Sequence, residues 1–562
     1  MTRFVFVVGG VMSGIGKGVT VAALARLFTN RGFSVSAVKI DPYVNVDAGT
    51  MNPTEHGEVF VTADGMECDQ DIGTYERFLN TDLPGINSVT SGQIFQEVIR
   101  KERGLLYGGR CVEVVPDIPN EVIRRLKLAA RRANADVLFV EIGGTAGEYQ
   151  NILYLETARL MRLASPKHVA VVLVSYLPIP YALREMKTKP TQQAVHALQA
   201  AGLQPDFIVG RAAKPIDALR KRKLAIFCNV SEEKIISAPN LPSVYEVPLQ
   251  FEAEGFAVQL SKKLHLVPKR PKTKEISQWR ALVTRAKRST RFVHIGIVGK
   301  YFSSGAFVLE DVYISVIEAI KHAAWAHGLS PKIQWLDAET YERSWHNAKE
   351  LRGFDGIIVP GGFGERGTEG KIAAIRFARI NRIPFLGLCF GMQLAVVEFS
   401  RNVAHMRAAH TTEINPSTPF PVIDCMPEQT ALMQEKRLGG SMRLGNYACA
   451  LTPKTLAWRA YAKDRRFSKQ EPIVTERHRH RYEFNNKFQK RLEQEGLICS
   501  GINHERHLVE IVELPHHPFF VGTQFHPELA SRPLQPHPLF MAFIAAAYKN
   551  ASGKRSTVDG RK

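Results

Sequence analysis

The stretch FVFVVGGVMSGIGKGVTVAALARLFTNRGFSVSAVKID, residues 4–41, decides the fold of the first part of the chain. It contains an apolar strand, a glycine-rich loop, a helix-like segment closed by Gly32 and a second apolar strand. Strand, loop, helix and strand in this order form the βαβ unit of a parallel sheet. We therefore predict an α/β fold.

The loop GGVMSGIGKGVT, residues 9–20, is similar to a phosphate-binding loop but departs from its usual pattern. Five residues instead of four separate Gly10 from Gly16, and Gly18 stands where Ser or Thr would help to hold magnesium. Taken alone, these residues leave open whether the loop binds a nucleotide.

The same alternation of strands and helices continues along the chain and divides it into two domains. Strand-like runs recur at 136–144, 168–177 and 206–210, then again at 292–299, 354–362, 383–391 and 519–528. Between the two series lies a basic, proline-bearing segment. We predict a first domain at 1–266, a linker at 267–291 with a helix in it, a second domain at 292–548 and a disordered polar tail at 549–562.

Composition excludes several classes of protein. The seven cysteines are scattered without a C-x-x-C pair, which argues against a disulfide framework or a structural zinc site. The longest apolar runs have the length of buried strands, so we expect a cytoplasmic protein without a membrane span. The net charge of +20 favours polyanionic partners. Basic residues are spread along the chain without a nucleic-acid-reading motif, which favours nucleoside triphosphates over nucleic acid.

The run IPFLGLCFGMQLAVVEF, residues 383–399, has the pattern of a catalytic nucleophile. Glycines two positions before and after Cys389 permit a tight turn between strand and helix that exposes the nucleophile. The helix amino terminus favours a thiolate there. The alternative is a buried structural cysteine, because cysteine is among the most buried residue types.

Two further motifs supply partners for this thiol. The run QFHPEL places His526 two residues before Glu528, and a histidine oriented by a carboxylate is the usual base for a thiol nucleophile. The run PGGFGERG, residues 360–367, follows a strand and can present backbone N–H groups to an oxyanion.

In this order and spacing, PGGFG, GLCFGMQ and QFHPE resemble a class I glutamine amidotransferase domain, which releases ammonia from glutamine. The resemblance implies that Cys389 attacks the amide, that His526 is acid and base, and that Glu528 orients His526. It also implies an oxyanion hole from the backbone of Gly362 and Phe390. The glutamine-binding residues that it implies are Gln393, Glu413 and Arg481.

The first half resembles the CTP synthase family in long blocks. They are KIDPYVNVDAGTMNPTEHGEVFV from Lys39, DIGTYERF from Asp71, VEIGGTAGE from Val140 and KTKPTQ from Lys187, with LGGSMRLG and ERHRHRYEFNN in the second half. The resemblance implies a P-loop-like, dethiobiotin-synthetase-like synthetase domain fused to the glutaminase. It also implies the reaction, in which ATP phosphorylates O4 of UTP and ammonia displaces the phosphate to give CTP.

The same resemblance assigns residues to the synthetase site. Those implied for ATP are Ser13, Gly14, Ile15, Gly16, Lys17, Gly18, Lys39, Asp71 and Arg211. Asp71 and Glu141 are implied as the ligands of Mg²⁺, which prefers oxygen donors. Those implied for UTP and CTP are Ser13, Glu113, Glu148, Gln150, Lys187, Lys189, Gln192 and Lys223. Those implied for the ammonia passage are Pro53, His56 and Val59.

Assembly and regulation follow from the resemblance as well. It implies feedback inhibition by CTP, activation by GTP, a homotetramer built as a dimer of dimers, and filaments. The alternative is a divergent member of low activity that acts mainly by co-assembly or regulation. The presence of both sets of catalytic residues argues against that alternative.

Some positions depart from the family pattern. Glu113 and Asp117 stand where Gln and His are usual, and Glu148 and Gln150 stand where Asp and Glu are usual. One carboxylate is gained and one is lost, so we interpret Glu113 and Gln150 as a charge-conserving exchange beside the pyrimidine nucleotide. Residues 415–438, near the lid that the family uses with GTP, are short for the family.

Overall fold

The computed structural model describes residues 1–300, 303–304, 307–308, 310–426, 429 and 439–559. The chain forms two compact units. Unit 1 contains Met1–Ala48 and Asp71–Val283, and unit 2 contains Gly49–Gln70 and Thr284–Lys562. The division confirms two domains and adds one feature that the sequence did not predict, because residues 49–70 belong with the second unit.

Unit 1 is built on a seven-stranded sheet in which every neighbouring pair is parallel. Its strands are almost wholly buried, as expected for a parallel sheet covered by helices on both faces. In chain order the strands up to residue 239 are β1 (Arg3–Gly9), β2 (Val35–Asp41), the unit 2 hairpin β3 (Val59–Val61) and β4 (Glu67–Asp69), β5 (Ser88–Thr90), β6 (Val137–Ile142), β7 (Val169–Tyr176), β8 (Phe207–Ala212) and β9 (Ile235–Pro239). The order across the sheet is β5-β2-β6-β1-β7-β8-β9, so the predicted parallel α/β domain is confirmed.

Helices connect these strands. In chain order they are α1 (Lys17–Asn30), α2 (Pro53–His56, in unit 2), α3 (Gln70–Leu79), α4 (Ser91–Arg103), α5 (Val114–Arg132), α6 (Ile152–Ala164), α7 (Lys189–Ala200), α8 (Ala218–Cys228), α9 (Val247–Ala253), α10 (Phe256–Lys263) and α11 (Thr273–Arg288). The last of these occupies most of the predicted linker, and the division between units falls inside it.

Unit 2 is built on a nine-stranded sheet that is half parallel and half antiparallel. The further strands are β10 (Phe292–Gly299), β11 (Ser303–Ser304), β12 (Phe307–Val308), β13 (Ser330–Asp337), β14 (Gly356–Val359), β15 (Phe385–Leu388), β16 (Ala409–Thr411), β17 (Phe420–Cys425), β18 (Arg443–Leu451), β19 (Ile473–His480), β20 (Tyr482–Phe484), β21 (Ile498–Asn503), β22 (Leu508–Glu513) and β23 (Phe520–Thr523). The parallel part runs β13-β10-β14-β15-β23, and β22, β21, β18 and β19 extend it antiparallel. The sequence-based expectation of a mainly parallel sheet therefore holds only for the part of this sheet that carries the Cys389 turn.

The helices of unit 2 pack on both faces of that sheet. They are α12 (Ile314–Ala326), α13 (Ala338–Arg343), α14 (Thr368–Ile380), α15 (Phe390–Asn402), α16 (Leu456–Tyr461), α17 (Gln489–Gln494), α18 (Pro527–Ala530) and α19 (Pro538–Asp559). Helix α19 continues to Asp559, through most of the segment for which a disordered tail is predicted. Among the described helices, none has the length and apolar character required to cross a bilayer.

Candidate active sites

Cys389 lies in the sharp turn between β15 and α15. Its φ of +50° is in the left-handed region, which is rare for a residue with a side chain. A Cβ on Gly387 would lie 2.8 Å from the backbone of Gly391, and a Cβ on Gly391 would overlap the carbonyl oxygen of Val359. Both glycines are therefore required by close backbone contacts, which is the turn that the sequence predicted.

His526 and Glu528 lie beside Cys389, after the end of β23. The Nδ1 atom of His526 is 2.7 Å from Oε1 of Glu528, and both side chains are largely buried. Burial alone would lower the pKa of His526, but the charges of Glu528 and then of Cys389 raise it well above its usual value. Cys389, His526, Glu528 and Gly362 all line one cavity of about 80 Å³.

A buried lysine donates hydrogen bonds to carbonyl oxygens of the glycine loop at 360–364. Nζ of Lys371, in α14, donates to the carbonyl oxygens of Pro360 at 3.1 Å and Gly361 at 3.5 Å. The hydroxyl of Tyr313 also donates to the Gly361 oxygen, at 3.4 Å. Because a carbonyl and the next N–H point in opposite directions from one peptide plane, the Gly362 N–H points away from Lys371. Burial lowers the pKa of Lys371 well below its usual value.

The three residues implied for glutamine binding are not among the residues that line this cavity. Gln393 donates from Nε2 to the carbonyl oxygen of Tyr482 at 2.9 Å. Glu413 accepts from the backbone N–H of Gly364 at 2.7 Å, and burial raises its pKa. Arg481 donates from Nη1 to Oε1 of Gln429 at 2.9 Å.

The basic run RHRHRY, residues 477–482, covers the last four residues of β19 and the start of β20, and it is not a surface patch. His478 and His480 are buried, and burial lowers the pKa of each well below its usual value. On the alternate positions, Nε of Arg479 pairs with Glu67 of the β3–β4 hairpin at 2.8 Å, and Arg477 is buried. A strand with these side chains buried gives no support to a nucleic-acid surface.

The phosphate-loop candidate joins β1 to α1 in unit 1. Gly14 and Gly16 have φ of +68° and +96°, and α1 begins at Lys17, so its free N–H groups face the loop. Nζ of Lys17 donates to the carbonyl oxygen of Gly144 at 2.6 Å, and burial lowers the lysine's pKa. The guanidinium of Arg211 lies beside Gly16. A helix amino terminus of this kind favours an anion.

Next to this loop, carboxylates and a lysine form a buried cluster. Nζ of Lys39 donates to Asp71 and, at 3.2 Å, to Oε1 of Glu141. The hydroxyl of Tyr75 donates to the other oxygen of Glu141. Burial raises the pKa of Glu141 to about 7, and the charge of Asp71 adds to the rise.

The position of Asp71 in this cluster explains why residue 18 is a glycine. A Cβ at this position would overlap the carboxylate of Asp71, so Ser or Thr would fit here only if the Asp71 side chain moved away from its position in the cluster. The described part of the chain holds no group of three or more His, Cys, Asp or Glu residues arranged to bind a metal. The two carboxylates nevertheless fit Mg²⁺, which is commonly held by one or two carboxylates together with substrate phosphates.

Comparison with known proteins agrees with both halves of this description. The family model for the CTP synthase N-terminus matches residues 3–266, and the model for class I glutamine amidotransferases matches residues 308–546. The CTP synthase of Thermococcus kodakarensis is 48% identical over 555 residues, covering 98% of this chain and 100% of that protein. The chain belongs to the CTP synthase family.

Two other relatives illustrate the range of the family. The CTP synthase of Picosynechococcus is 47% identical over 554 residues, covering 98% of this chain and 97% of that protein. Among solved structures, the glutaminase domain of Trypanosoma brucei CTPS with bound acivicin is 37% identical, covers 46% of this chain and 94% of that chain, and has a TM-score of 0.41.

The residues that the CTP synthase family implies for UTP and CTP are spread over several elements of unit 1. Lys189 begins α7, Gln192 is buried one turn later, and Lys223 is exposed on α8. Lys187 is paired with Glu185 at 2.7 Å. The described contacts do not bring these side chains into one cluster, so their shared role stays a prediction.

None of the described hydrogen bonds or ion pairs joins Glu113 to Gln150, the two positions of the proposed charge exchange. Gln150 donates from Nε2 to Oε2 of Glu148 at 2.8 Å, and Glu148 also accepts from the N–H of Thr145. Glu113 is exposed at the start of α5, so this chain by itself imposes no desolvation cost on that carboxylate. Asp117 is buried and paired with Arg110. The exchange remains a prediction about the bound nucleotide.

Two of the three residues predicted for the ammonia passage line the glutaminase cavity. Pro53 and Val59 line the cavity that also contains Cys389. His56 is absent from this lining, and its Nδ1 is 3.7 Å from Oδ2 of Asp69. Of the short segment 415–438, residues 427–428 and 430–438 lie outside the described residues.

Sequence reasoning missed two buried side chains at the glutaminase site. Gln524 donates from Nε2 to Sγ of Cys389 at 3.7 Å, and Lys371 holds the glycine loop. Gln524 was detectable, because it is two residues before His526 on an extended segment and alternate side chains share a face. Lys371 offered no signal, since lysines are rarely fully buried.

Proposed function

We propose that this chain makes CTP from UTP, ATP and glutamine, with one half-reaction in each unit. Unit 2 releases ammonia from glutamine, and unit 1 transfers the γ-phosphoryl group of ATP to O4 of UTP so that ammonia can displace it. The Cys389, His526 and Glu528 constellation on one cavity is the observation that carries the proposal.

In the glutaminase half, we assign Cys389 as the nucleophile. Its proton passes to Nε2 of His526, which lies on the opposite side of the ring from Glu528. The thiolate attacks the glutamine carboxamide, and His526 then protonates the departing ammonia. Glu528 stabilises the imidazolium and fixes its orientation. Water finally hydrolyses the thioester to glutamate.

Negative charge develops on the amide oxygen during this attack. We assign the backbone N–H groups of Gly362 and Phe390 as its donors, since such groups stabilise an oxyanion when they are fixed in advance. Lys371 supports this assignment because it holds the preceding carbonyl oxygens of the glycine loop. Gln393, Glu413 and Arg481 are assigned to hold the glutamine zwitterion.

In the synthetase half, the loop from Ser13 to Gly18, with Ile15 inside it, and the amino terminus of α1 would bind the ATP phosphates. Lys17, Lys39 and Arg211 would neutralise their charge, because phosphoryl transfer depends mainly on positioning and charge stabilisation. Asp71 and Glu141 would hold Mg²⁺, which supplies further charge neutralisation when bound. Lys39 already pairs with both carboxylates, so its positive charge can also compensate the negative charge that the ligands would bring into the site.

Ammonia must reach UTP unprotonated, because ammonium is not a nucleophile. Pro53 and Val59, which line the glutaminase cavity, support an ammonia exit beside the hairpin β3–β4. An enclosed path would exclude water and so preserve the free base. His56 is assigned to the same path at a later point.

The remaining family properties are proposals for this chain. The pyrimidine nucleotide would contact Ser13, Glu113, Glu148, Gln150, Lys187, Lys189, Gln192 and Lys223. CTP would inhibit by feedback, GTP would activate, and the chain would form homotetramers and filaments in the cytoplasm. The presence of the residues proposed for both half-reactions argues against the alternative of a weakly active co-assembly subunit.

The test is UTP conversion with ATP and either glutamine or ammonium, in the wild type and in Cys389→Ala. We expect the variant to lose glutamine-driven CTP formation and to keep the ammonium-driven rate within about twofold, because the two half-reactions use separate residues. Failure of ammonium in the wild type would contradict the synthetase assignment. Glutamine-driven activity in Cys389→Ala would contradict the nucleophile assignment.

A further inference from the structure

The amide of Gln524 contacts the sulfur of Cys389. Gln524 follows β23, is completely buried, and places Nε2 3.7 Å from the sulfur atom. The same sulfur lies 3.8 Å from the carbonyl oxygen of Arg479. A thiolate can accept a hydrogen bond but cannot donate one, so the identity of the Gln524 atom that faces it determines whether this contact stabilises the thiolate.

The orientation of the Gln524 amide is fixed by its neighbours. Gln393 is 2.9 Å from the carbonyl oxygen of Tyr482, and a carbonyl oxygen can only accept, so the Gln393 atom at that distance must be its NH₂ group. The other hydrogen of this NH₂ group is free to donate to Gln524, whose amide oxygen lies 3.2 Å away. With its oxygen turned to Gln393, Gln524 must turn its own NH₂ group to Cys389.

The orientation depends on the carbonyl oxygen of Tyr482, which is contacted by the buried His480, and His480 is contacted in turn by the buried His478. Nδ1 of His480 is 3.2 Å from the oxygen of Tyr482, so it carries the hydrogen. Nε2 of His480 therefore accepts from Nδ1 of His478, 2.9 Å away, when both rings are neutral. Burial lowers the pKa of both histidines well below the usual value, which agrees with neutral rings.

These contacts form two series of hydrogen bonds that meet at the carbonyl oxygen of Tyr482. One series runs from His478 through His480 to the Tyr482 oxygen, which Gln393 also contacts, and the other runs from Gln393 through Gln524 to the sulfur of Cys389. At the sulfur end, the thiol can donate to the carbonyl oxygen of Arg479 as long as it carries its proton, whereas the N–H of Gln524 points to the sulfur in either state. Once the proton has left, the Gln524 N–H is the contact of the two that stabilises the thiolate.

We propose that Gln524 is a further catalytic residue of the glutaminase, which donates a hydrogen bond to the Cys389 thiolate, and that His478 and His480 are positioning residues for its amide. The proton leaves the sulfur for Nε2 of His526, and the N–H of Gln524 compensates the charge that remains. This inference rests on the proposed role of Cys389 as the nucleophile.

Other charged groups also act on this sulfur and must stay unchanged in the test. They are His526 and Glu528 from the segment after β23, and Lys371 from α14. Around the two histidines, the charged groups are Arg443, Glu483, Glu510 and His526. None of these residues is altered by a change at Gln524.

The experiment measures how the alkylation of Cys389 by iodoacetamide depends on pH in the full-length protein. Mass spectrometry of the Cys389 peptide separates it from the exposed Cys111. The variants are Gln524→Met, which removes the amide, and Gln524→Glu, which keeps its size and its acceptor for Gln393 but places a carboxylate at the sulfur. Gln93→Met, the same change at a buried glutamine of unit 1, is the matched control.

We expect the pH midpoint of alkylation to rise by about one unit in Gln524→Met, a tenfold loss of thiolate at neutral pH, and to rise further in Gln524→Glu. Gln93→Met should leave the midpoint unchanged, and ammonium-driven CTP formation should persist in every variant. An unchanged midpoint in both Gln524 variants would overturn the inference. Glutamine-driven activity that survives Cys389→Ala would instead overturn the proposed function, so the two failures are distinguishable.

Discussion

The two candidate active sites are organised in opposite ways. The glutaminase site depends on backbone geometry and directed hydrogen bonds, with Cys389 in a turn that admits only glycine at two neighbouring positions. The synthetase site depends on opposed charges, with Lys39 paired to Asp71 and Glu141 beside an open glycine loop. The first arrangement suits chemistry on a neutral amide, whereas the second suits the binding of polyanionic ligands and a metal.

The difference determines how each site should respond to substitution. In the glutaminase site a lost hydrogen bond changes protonation, so its effects should appear as shifts in pH dependence. In the synthetase site a misplaced charge should remove phosphoryl transfer with either nitrogen source. The predictions below use these separate responses.

Apart from changes to the assigned catalytic and metal-binding side chains themselves, the largest effect is expected from Gly18→Ser, which would restore the hydroxyl of a standard phosphate loop. Because its Cβ would overlap Asp71, we expect about a 100-fold loss of CTP formation with both glutamine and ammonium, as for a misplaced catalytic group. Initial rates with each nitrogen source measure it. The control is Gly353→Ala, where an added Cβ meets nothing within 4 Å. Full activity of Gly18→Ser would show that Asp71 does not occupy this position.

A smaller effect is expected from Glu528→Gln in the glutaminase site. The charge of Glu528 raises the pKa of His526, so its removal should lower that pKa and destabilise the imidazolium beside the thiolate. We expect about a tenfold loss of glutamine-driven CTP formation for each unit by which this pKa falls, with the ammonium-driven rate unchanged. A parallel loss with ammonium would mean that the variant damages the fold or the synthetase site.

The smallest effect concerns stability and comes from the buried cluster of Arg443, Glu483 and Glu510. Burial raises the pKa of Glu483 to about 8, and Arg443, at 3.0 Å, offsets only part of this rise. Between its unfolded value near 4.5 and about 8, the folded state binds the extra proton, so this carboxyl stabilises less as pH rises through that range.

Glu483→Gln removes this titration while keeping the shape of the protonated acid. We therefore expect the melting temperature of the variant, relative to wild type, to be about 2–4 °C higher above the folded pKa of Glu483 than at mildly acidic pH. Thermal unfolding followed at the two pH values measures it. A difference that does not depend on pH would show that Glu483 is ionised in the folded protein.

The sequence predicted those features that depend on local pattern. The βαβ start, the Cys389 turn and the His526–Glu528 pair follow from strand and helix periodicity and from short spacings. Features that depend on distant contacts were not predictable. The close approach of Asp71 to Gly18 and the membership of residues 49–70 in unit 2 join residues far apart in the chain, and the burial of Lys371 depends on how its helix packs.

The burial of the run RHRHRY is another feature that could not be predicted from local sequence. Its composition suggests a charged surface, yet His478 and His480 are in the interior, beside Glu510 of β22 and Glu483 of β20. Composition does not reveal such partners, since buried charges are tolerated only where others compensate them.

The most direct test of the account is Asp71→Asn assayed for two products at once, glutamate and CTP. Asp71 is assigned to the synthetase site alone, so we predict that CTP formation is abolished with glutamine and with ammonium, while glutamine hydrolysis continues within about tenfold of wild type. CTP formation at the wild-type rate would contradict the assignment of the metal and phosphate site. Loss of glutamate release together with CTP would contradict the separation of the two sites.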